Sequence, residues 1–185
     1  MNYDAFIEQK THVGTDDGFV PTWLPDVMFD FQRVLVDWAI RRGRSAIFAD
    51  TGLGKTLMQL VVAENWVRCT NRHVLLLTPL AVSHQTVAEA AKFGVQAVRC
   101  SDGRPPAGAK VVVANYQRLH QFDPADFAGV VCDESSILKS FDGATRGAIT
   151  AFLRTIRYRL LCTATAAPND YHELGTSSEA LVDLG

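Results

Sequence analysis

Short apolar runs recur along this chain, and the stretches between them carry their apolar residues at helical spacing. The runs are Ala46-Ile-Phe-Ala49, Val74-Leu-Leu-Leu77, Val111-Val-Val-Ala114, Val130-Val-Cys132 and Leu160-Leu-Cys162. Each is continuously apolar and bounded by polar or turn-forming residues, which predicts strands buried on both faces. Phe31, Val34, Leu35, Trp38 and Ala39 predict a helix over 29–40, headed by Gln32 with Asp30 as its N-cap. Further helices are predicted over 55–69, 82–93 and 144–153, with a short strand over 95–99. Gly103, Pro105, Pro106 and Gly108 predict a surface loop, and Pro124 and Gly129 punctuate the approach to Val130. Short helical pieces are predicted at 3–10, 171–175 and 177–184. Strands alternating with helices define an α/β class with a mostly parallel central sheet flanked by helices.

In such a sheet, ligand-binding loops lie at the carboxyl ends of the strands. The polar residues of this chain collect there: Asp50 to Thr56, Thr78-Pro79, Asn115-Tyr116, Asp133-Glu134 and Thr163 to Thr165. Their convergence on one edge of the sheet is therefore expected.

The most informative of these stretches is Ala49-Asp-Thr-Gly-Leu-Gly-Lys-Thr56, which follows a strand and opens a helix. It fits the phosphate-binding pattern G-x-x-x-x-G-K-S/T except that Ala49 stands at the first glycine position. Gly52 and Gly54 let the backbone bring N–H groups close to phosphate oxygens, and the helix dipole favours the same anion. Thr51, Gly52, Leu53, Gly54, Lys55 and Thr56 are the candidate nucleotide cradle, with Lys55 on the β- and γ-phosphates and Thr56 as a Mg²⁺ ligand. Downstream, the Val130 strand ends in adjacent carboxylates. Asp133 is the candidate second Mg²⁺ ligand, and Glu134 the group that polarises the attacking water. Lys55, Asp133 and Glu134 form the candidate catalytic set.

Composition narrows the picture modestly. The chain has 185 residues, 48% of them hydrophobic, which suits one globular domain with a full core. Net charge is −2 at pH 7, so bulk charge does not advertise nucleic-acid binding, although a local basic groove can sit on a neutral protein. Arginine outnumbers lysine by 13 to 5, and the Arg41, Arg42 and Arg44 cluster reads as a solvated helix end favoured by the dipole. The four cysteines form no C-x-x-C pair, which argues against a zinc or redox motif and fits a reducing cytoplasm. The sequence contains no apolar run of membrane-spanning length.

Taken together, the ordered motifs resemble the first RecA-like lobe of superfamily-two helicases, near the Snf-like DNA translocases and DEAH-type proteins of phages and mobile elements. Phe31-Gln32 resembles the glutamine motif, implying an adenine contact for Gln32. The loop ending at Lys55-Thr56 resembles motif I of that family, which tolerates alanine at the first position. Leu77-Thr78-Pro79 and Asn115-Tyr116 resemble motifs that touch the nucleic-acid backbone, so Thr78, Pro79, Asn115 and Tyr116 are implied contacts. Asp133-Glu134-Ser135-Ser136 stands where relatives carry D-E-A-H or D-E-A-D. Thr163-Ala164-Thr165 resembles motif III, implying that Thr163 and Thr165 couple hydrolysis to movement between lobes.

The resemblance implies an ATP- and Mg²⁺-dependent motor acting on DNA in preference to RNA. It divides the chain into an N-terminal extension (1–24), an ATP-binding RecA-like P-loop NTPase lobe (25–175) and a tail (176–185) leading to a second lobe that this chain does not contain. Alone, such a lobe is expected to turn over ATP very slowly. Two alternatives stay open from sequence: a nucleotide-binding docking module without turnover, and an RNA-remodelling ATPase of the DEAD type.

Overall fold

The protein is described here from a computed structural model covering residues 17–165 and 180–181. The helices expected at 3–10 and 171–175, and most of that at 177–184, lie outside the described residues. Ala180 and Leu181 are helical.

In chain order the elements are α1 (Asp30–Arg42), β1 (Arg44–Phe48), α2 (Lys55–Thr70), β2 (His73–Thr78), α3 (Ser83–Lys92), β3 (Ala97–Arg99), β4 (Val111–Asn115), β5 (Phe127–Cys132), α4 (Gly143–Thr155) and β6 (Tyr158–Thr163). The six strands form one sheet in the order β1-β6-β5-β2-β4-β3, and every pairing is parallel. Parallel neighbours need a crossover between them; α2, α3 and α4 supply those after β1, β2 and β5, while irregular segments and 3-10 turns connect β3 to β4 and β4 to β5.

Side-chain alternation divides the core into two halves. Val74, Leu76, Val111, Val113, Val131, Leu160 and Cys162 face the layer of α1, α2 and α3, centred on Met58, Leu60, Val61 and Trp66. Their neighbours Leu75, Leu77, Val112, Ala114, Val130, Cys132 and Leu161 face the opposite layer, with Tyr116, Leu119, Ile149 and Leu153. Strands buried on both faces are what continuous apolar runs require, which is why these runs announce themselves in the sequence.

Several expectations needed correction. The helix over 29–40 is present, but its fully buried positions are Gln32, Val36, Ala39 and Ile40. Phe31, Val34 and Trp38 are 43%, 68% and 43% exposed. Their spacing is helical; which stripe faces the sheet is set by how α1 enters β1 through Gly43, in the left-handed region at φ 72. Phe29, not Asp30, occupies the N-cap position, with extended backbone, and its N–H donates to Gln32 Oε1 at 3.0 Å. Gly129 lies inside β5 and not before it, because Trp66 leaves no room for a side chain there. The 95–99 strand shortens to Ala97–Arg99. Short 3-10 helices at Leu80–Val82, Tyr116–Gln121, Pro124–Asp126 and Ser135–Ser140 follow strand ends or loops with no apolar periodicity to mark them.

Other readings hold. Arg41 and Arg42 form the last turn of α1, where Arg41 pairs with Asp37 at 2.7 Å; Arg44 departs from that reading, opening β1 with its guanidinium 3.8 Å from Asp17. Cys100, Cys132 and Cys162 are buried, and burial pushes the Cys132 thiol up to about 12. No helix among the described residues is long and apolar enough to cross a membrane.

A Cβ at residue 129 would stand 2.4 Å from Trp66 Cε3. Gly129→Ala is therefore expected to destabilise the fold by about 1–3 kcal/mol, the usual cost of overpacking a filled core. Thermal unfolding followed by circular dichroism checks this, and an unchanged midpoint would contradict the packing described.

Candidate nucleotide site

Because all strands run the same way, their carboxyl ends share one edge, and the loops after β1, β5 and β6 meet there. Phe48 pairs in register with Thr163, and the ladder continues one step through Ala49 N–H to Thr163 O at 3.2 Å. On the other side, Asp133 N–H donates to Leu77 O at 2.8 Å, extending β5 along β2.

The loop after β1 turns through Gly52 (φ 86) and Gly54 (φ 73), both in the left-handed region open to glycine. Gly54 has a second constraint. A Cβ there would lie 2.4 Å from Gln32 Nε2. Gln32 itself is buried, with Nε2 donating to Leu53 O at 2.9 Å, so α1 is stitched to the loop through this one amide. Helix α2 begins at Lys55 with no side-chain cap on its first turn. Its leading N–H groups are thus left for another acceptor, as an anion-binding helix start requires. The Lys55 ammonium donates to Ala49 O at 2.8 Å and Asp50 O at 3.0 Å, which holds it in the mouth of the loop.

Asp133 is held from three directions. Beyond its backbone N–H bond, its carbonyl accepts from the Tyr116 hydroxyl at 2.8 Å, and its Oδ1 accepts from Gln59 Nε2 at 2.7 Å. Burial raises its pKa, opposed by the Gln59 hydrogen bond and reinforced by the adjacent charge of Glu134.

Glu134 departs from the strand through a left-handed conformation, φ 49 and ψ 52, costing a non-glycine residue on the order of 1 kcal/mol. This turn brings its Oε1 to three hydroxyls: Ser136 at 2.5 Å, Thr163 at 2.7 Å and Thr165 at 3.3 Å. Partial burial alone would raise its pKa, but these donors, with Lys55 nearby, outweigh it and hold the carboxyl below its ordinary range.

A cleft of about 730 Å³ gathers these groups: Gln32, Thr51, Gly52, Gly54, Lys55, Thr56, Asp133 and Glu134 line it, with Phe29 and Val27 at one end. Leu53 belongs to the same loop, at 42% exposure. The loop and the acid pair thus share one cavity, as their positions at the strand ends led one to expect.

Placement is less uniform for the other candidates. Thr163 and Thr165 reach the site through Glu134. Asn115 and Pro79 are half-buried, Asn115 Oδ1 accepting from Arg118 N–H at 3.1 Å. Thr78 is fully enclosed, with no hydrogen-bond partner on its hydroxyl among the described residues, and Tyr116 is buried with its hydroxyl committed to Asp133. Neither presents its side chain at the surface. Gln59, Tyr116 and Ser136 are contacts of the acid pair that sequence reasoning missed. The available signal for Gln59 was a polar residue inside the apolar run Leu57 to Ala63.

A fully parallel sheet with helices on both faces, a glycine loop opening a helix after the edge strand and an acid pair after an inner strand is the RecA-like P-loop NTPase fold. The solved structures it is similar to include helicases and a SWI2/SNF2 ATPase core. The UvsW helicase from bacteriophage T4 superposes with a TM-score of 0.69 at 13% identity, covering 98% of this chain and 66% of that one. The SWI2/SNF2 ATPase core of Sulfolobus solfataricus, solved in complex with dsDNA, gives 0.65 at 18% identity, covering 82% and 35%. In sequence, the chain is 26% identical over 185 residues to the mouse DNA annealing helicase and endonuclease ZRANB3. That match takes in 88% of this chain and 17% of the mouse protein, so the chain spans a minor part of that relative. No family model matches the sequence.

Thr163→Val removes one hydroxyl from Glu134, so the carboxyl pKa is expected to rise. A group whose folded value lies below its unfolded one adds stability above the unfolded value and loses it as pH falls through the folded value. The variant should narrow that acid-side window. Side-chain ¹³C titration of Glu134 in both proteins reads the shift directly, and identical titrations would remove Thr163 from the site.

Proposed function

We propose that this chain is the ATP-binding motor lobe of a DNA helicase or translocase. The observation that carries the reading is the single cleft lined by Lys55, Thr56, Asp133 and Glu134. The residues present suit a magnesium nucleotide. The uncapped start of α2 and the side-chain-free Gly54 make a cradle for phosphate oxygens, and Lys55 adds a positive charge at its mouth. Thr56 and Asp133 would hold Mg²⁺, an oxygen-ligand cation taken up through one or two protein groups. ATP supplies the phosphoanhydride bond whose hydrolysis drives movement.

Glu134, kept ionised by its hydroxyl donors, orients a water and accepts its proton. Thr163 and Thr165 serve as the coupling, because any shift of the segment after β6 alters the donors on Glu134. Gln32 braces the loop through Leu53 and retains one free N–H and one lone pair for an adenine edge. Pro79 and Asn115 are the proposed backbone contacts on DNA, with Thr78 and Tyr116 supporting them from beneath. Contacts of that kind give little sequence preference and strong salt dependence.

The described residues lining the cleft include no arginine. An arginine supplied in trans is worth roughly 10³ to 10⁵ in rate among P-loop hydrolases. A second RecA-like lobe is the proposed source, so this chain alone turns over slowly.

Lys55→Ala is expected to weaken nucleotide binding by about tenfold or more, through loss of a charge-assisted phosphate contact. Glu134→Gln should bind nucleotide normally and lose on the order of 10²-fold or more in turnover. Equilibrium binding of a fluorescent nucleotide, and phosphate release with duplex DNA or RNA and an added second lobe, measure the two effects. Stimulation by RNA alone would replace DNA as the partner, and unchanged turnover in both variants would end the motor reading.

A further inference from the structure

Helix α2 drives an apolar run into the core: Leu57, Met58, Leu60, Val61, Val62 and Ala63 are all buried. Gln59 sits in the middle of that run and is equally buried, at 0% exposure. Its Nε2 donates to Asp133 Oδ1 at 2.7 Å, while its Oε1 finds no hydrogen-bond partner among the described residues. An amide buried with one end unsatisfied is a cost that a methionine or leucine in the same space would not carry. Packing therefore does not account for glutamine here.

The placement does. Gln59 lies about one helical turn beyond Lys55, so the element that opens the phosphate loop also reaches the acid at the end of β5. Tyr116 fixes the Asp133 carbonyl, Leu77 fixes its N–H and Gln59 fixes Oδ1. Among the described residues Gln59 is the one side chain hydrogen-bonded to the Asp133 carboxylate, joined there by the Glu134 backbone N–H, and Asp133 lines the cleft beside Lys55 and Thr56. Metal-ligating carboxylates are characteristically held this way, with one oxygen bonded to a supporting donor and the other presented to the cation.

We infer that Gln59 is a positioning residue for the magnesium carboxylate: its amide pins Asp133 Oδ1 so that the other oxygen is offered to the divalent cation Asp133 and Thr56 would share. This rests on the magnesium-nucleotide reading above. Only a donor at this position works. Methionine matches the length and fills the space but offers no N–H, and glutamate sets a second carboxylate against the first.

The test is anisotropy of a fluorescent ADP analogue bound to the full chain, with Mg²⁺ titrated and separately in EDTA. Wild type is compared with Gln59→Met, Gln59→Glu, Asp133→Asn and the Gln59→Met/Asp133→Asn double variant. Gln59→Met is expected to weaken apparent Mg²⁺ affinity by about tenfold, the usual loss for a supporting ligand partner. Its binding in EDTA should match wild type and its melting temperature should not fall, and Gln59→Glu should weaken Mg²⁺ affinity further. The double variant should be no weaker than Asp133→Asn alone, a coupling that a packing role does not produce. Wild-type Mg²⁺ affinity in Gln59→Met, additive losses in the double variant, or equal weakening with and without Mg²⁺ would each overturn the assignment. A wild-type protein with no magnesium-dependent gain would overturn the magnesium-nucleotide reading itself, and the role of Gln59 with it.

Discussion

The common direction of the strands is the constraint on which the rest of this molecule depends. Parallel pairing forbids a tight hairpin and forces the chain across a face of the sheet between neighbours. Every strand therefore ends on the same edge, and residues more than a hundred positions apart become neighbours there. Ala49 and Thr163 are linked by a backbone hydrogen bond, and Glu134 meets Thr163 and Thr165 side by side. The first contact needs no specific loop conformation beyond the point where its strands stop; the second adds only the turn at Glu134. The chemistry of the cleft is assembled by sheet topology first and by side chains second.

Within that frame the two adjacent carboxylates receive opposite treatment. Asp133 is desolvated, with its pKa raised, and depends on one buried amide for support. Glu134 turns out of the strand into a cluster of hydroxyls and stays below its ordinary range. Neighbouring acids whose environments push them apart are suited to different tasks. Here one acid is enclosed and held by an amide, and the other is ringed by hydroxyls. The left-handed backbone at Glu134 turns its side chain out of the strand direction, where it meets Ser136, Thr163 and Thr165.

The exposed stripe of α1 shows where periodicity alone misleads. Phe31, Val34 and Trp38 carry a helical pattern as good as that of Val36, Ala39 and Ile40, and only the second set reaches the core. The helix must enter β1 at the angle Gly43 allows, while Gln32 must reach the loop at Leu53. Those two anchors fix its rotation. Gly129 shows the reverse: read locally it breaks a strand, yet in place it is the gap into which Trp66 fits.

What the linear chain settled by itself was the class of fold, the position of each long apolar strand, and the convergence of the loop at Lys55 with the acids at Asp133 and Glu134 on one edge. The signals behind them are local: continuous apolarity marks a strand buried on both faces, and a glycine loop before a helix marks an anion site, whatever surrounds them. The supporting cast was decided only in three dimensions. Gln59, Tyr116 and Ser136 act on the acid pair through hydrogen bonds, two of them across long sequence separations, and Thr78 lost its access to solvent when neighbouring strands closed over it. A side chain's type can be read in one dimension, but its partner is fixed by packing, because direction and burial arise only when the sheet and its helices come together.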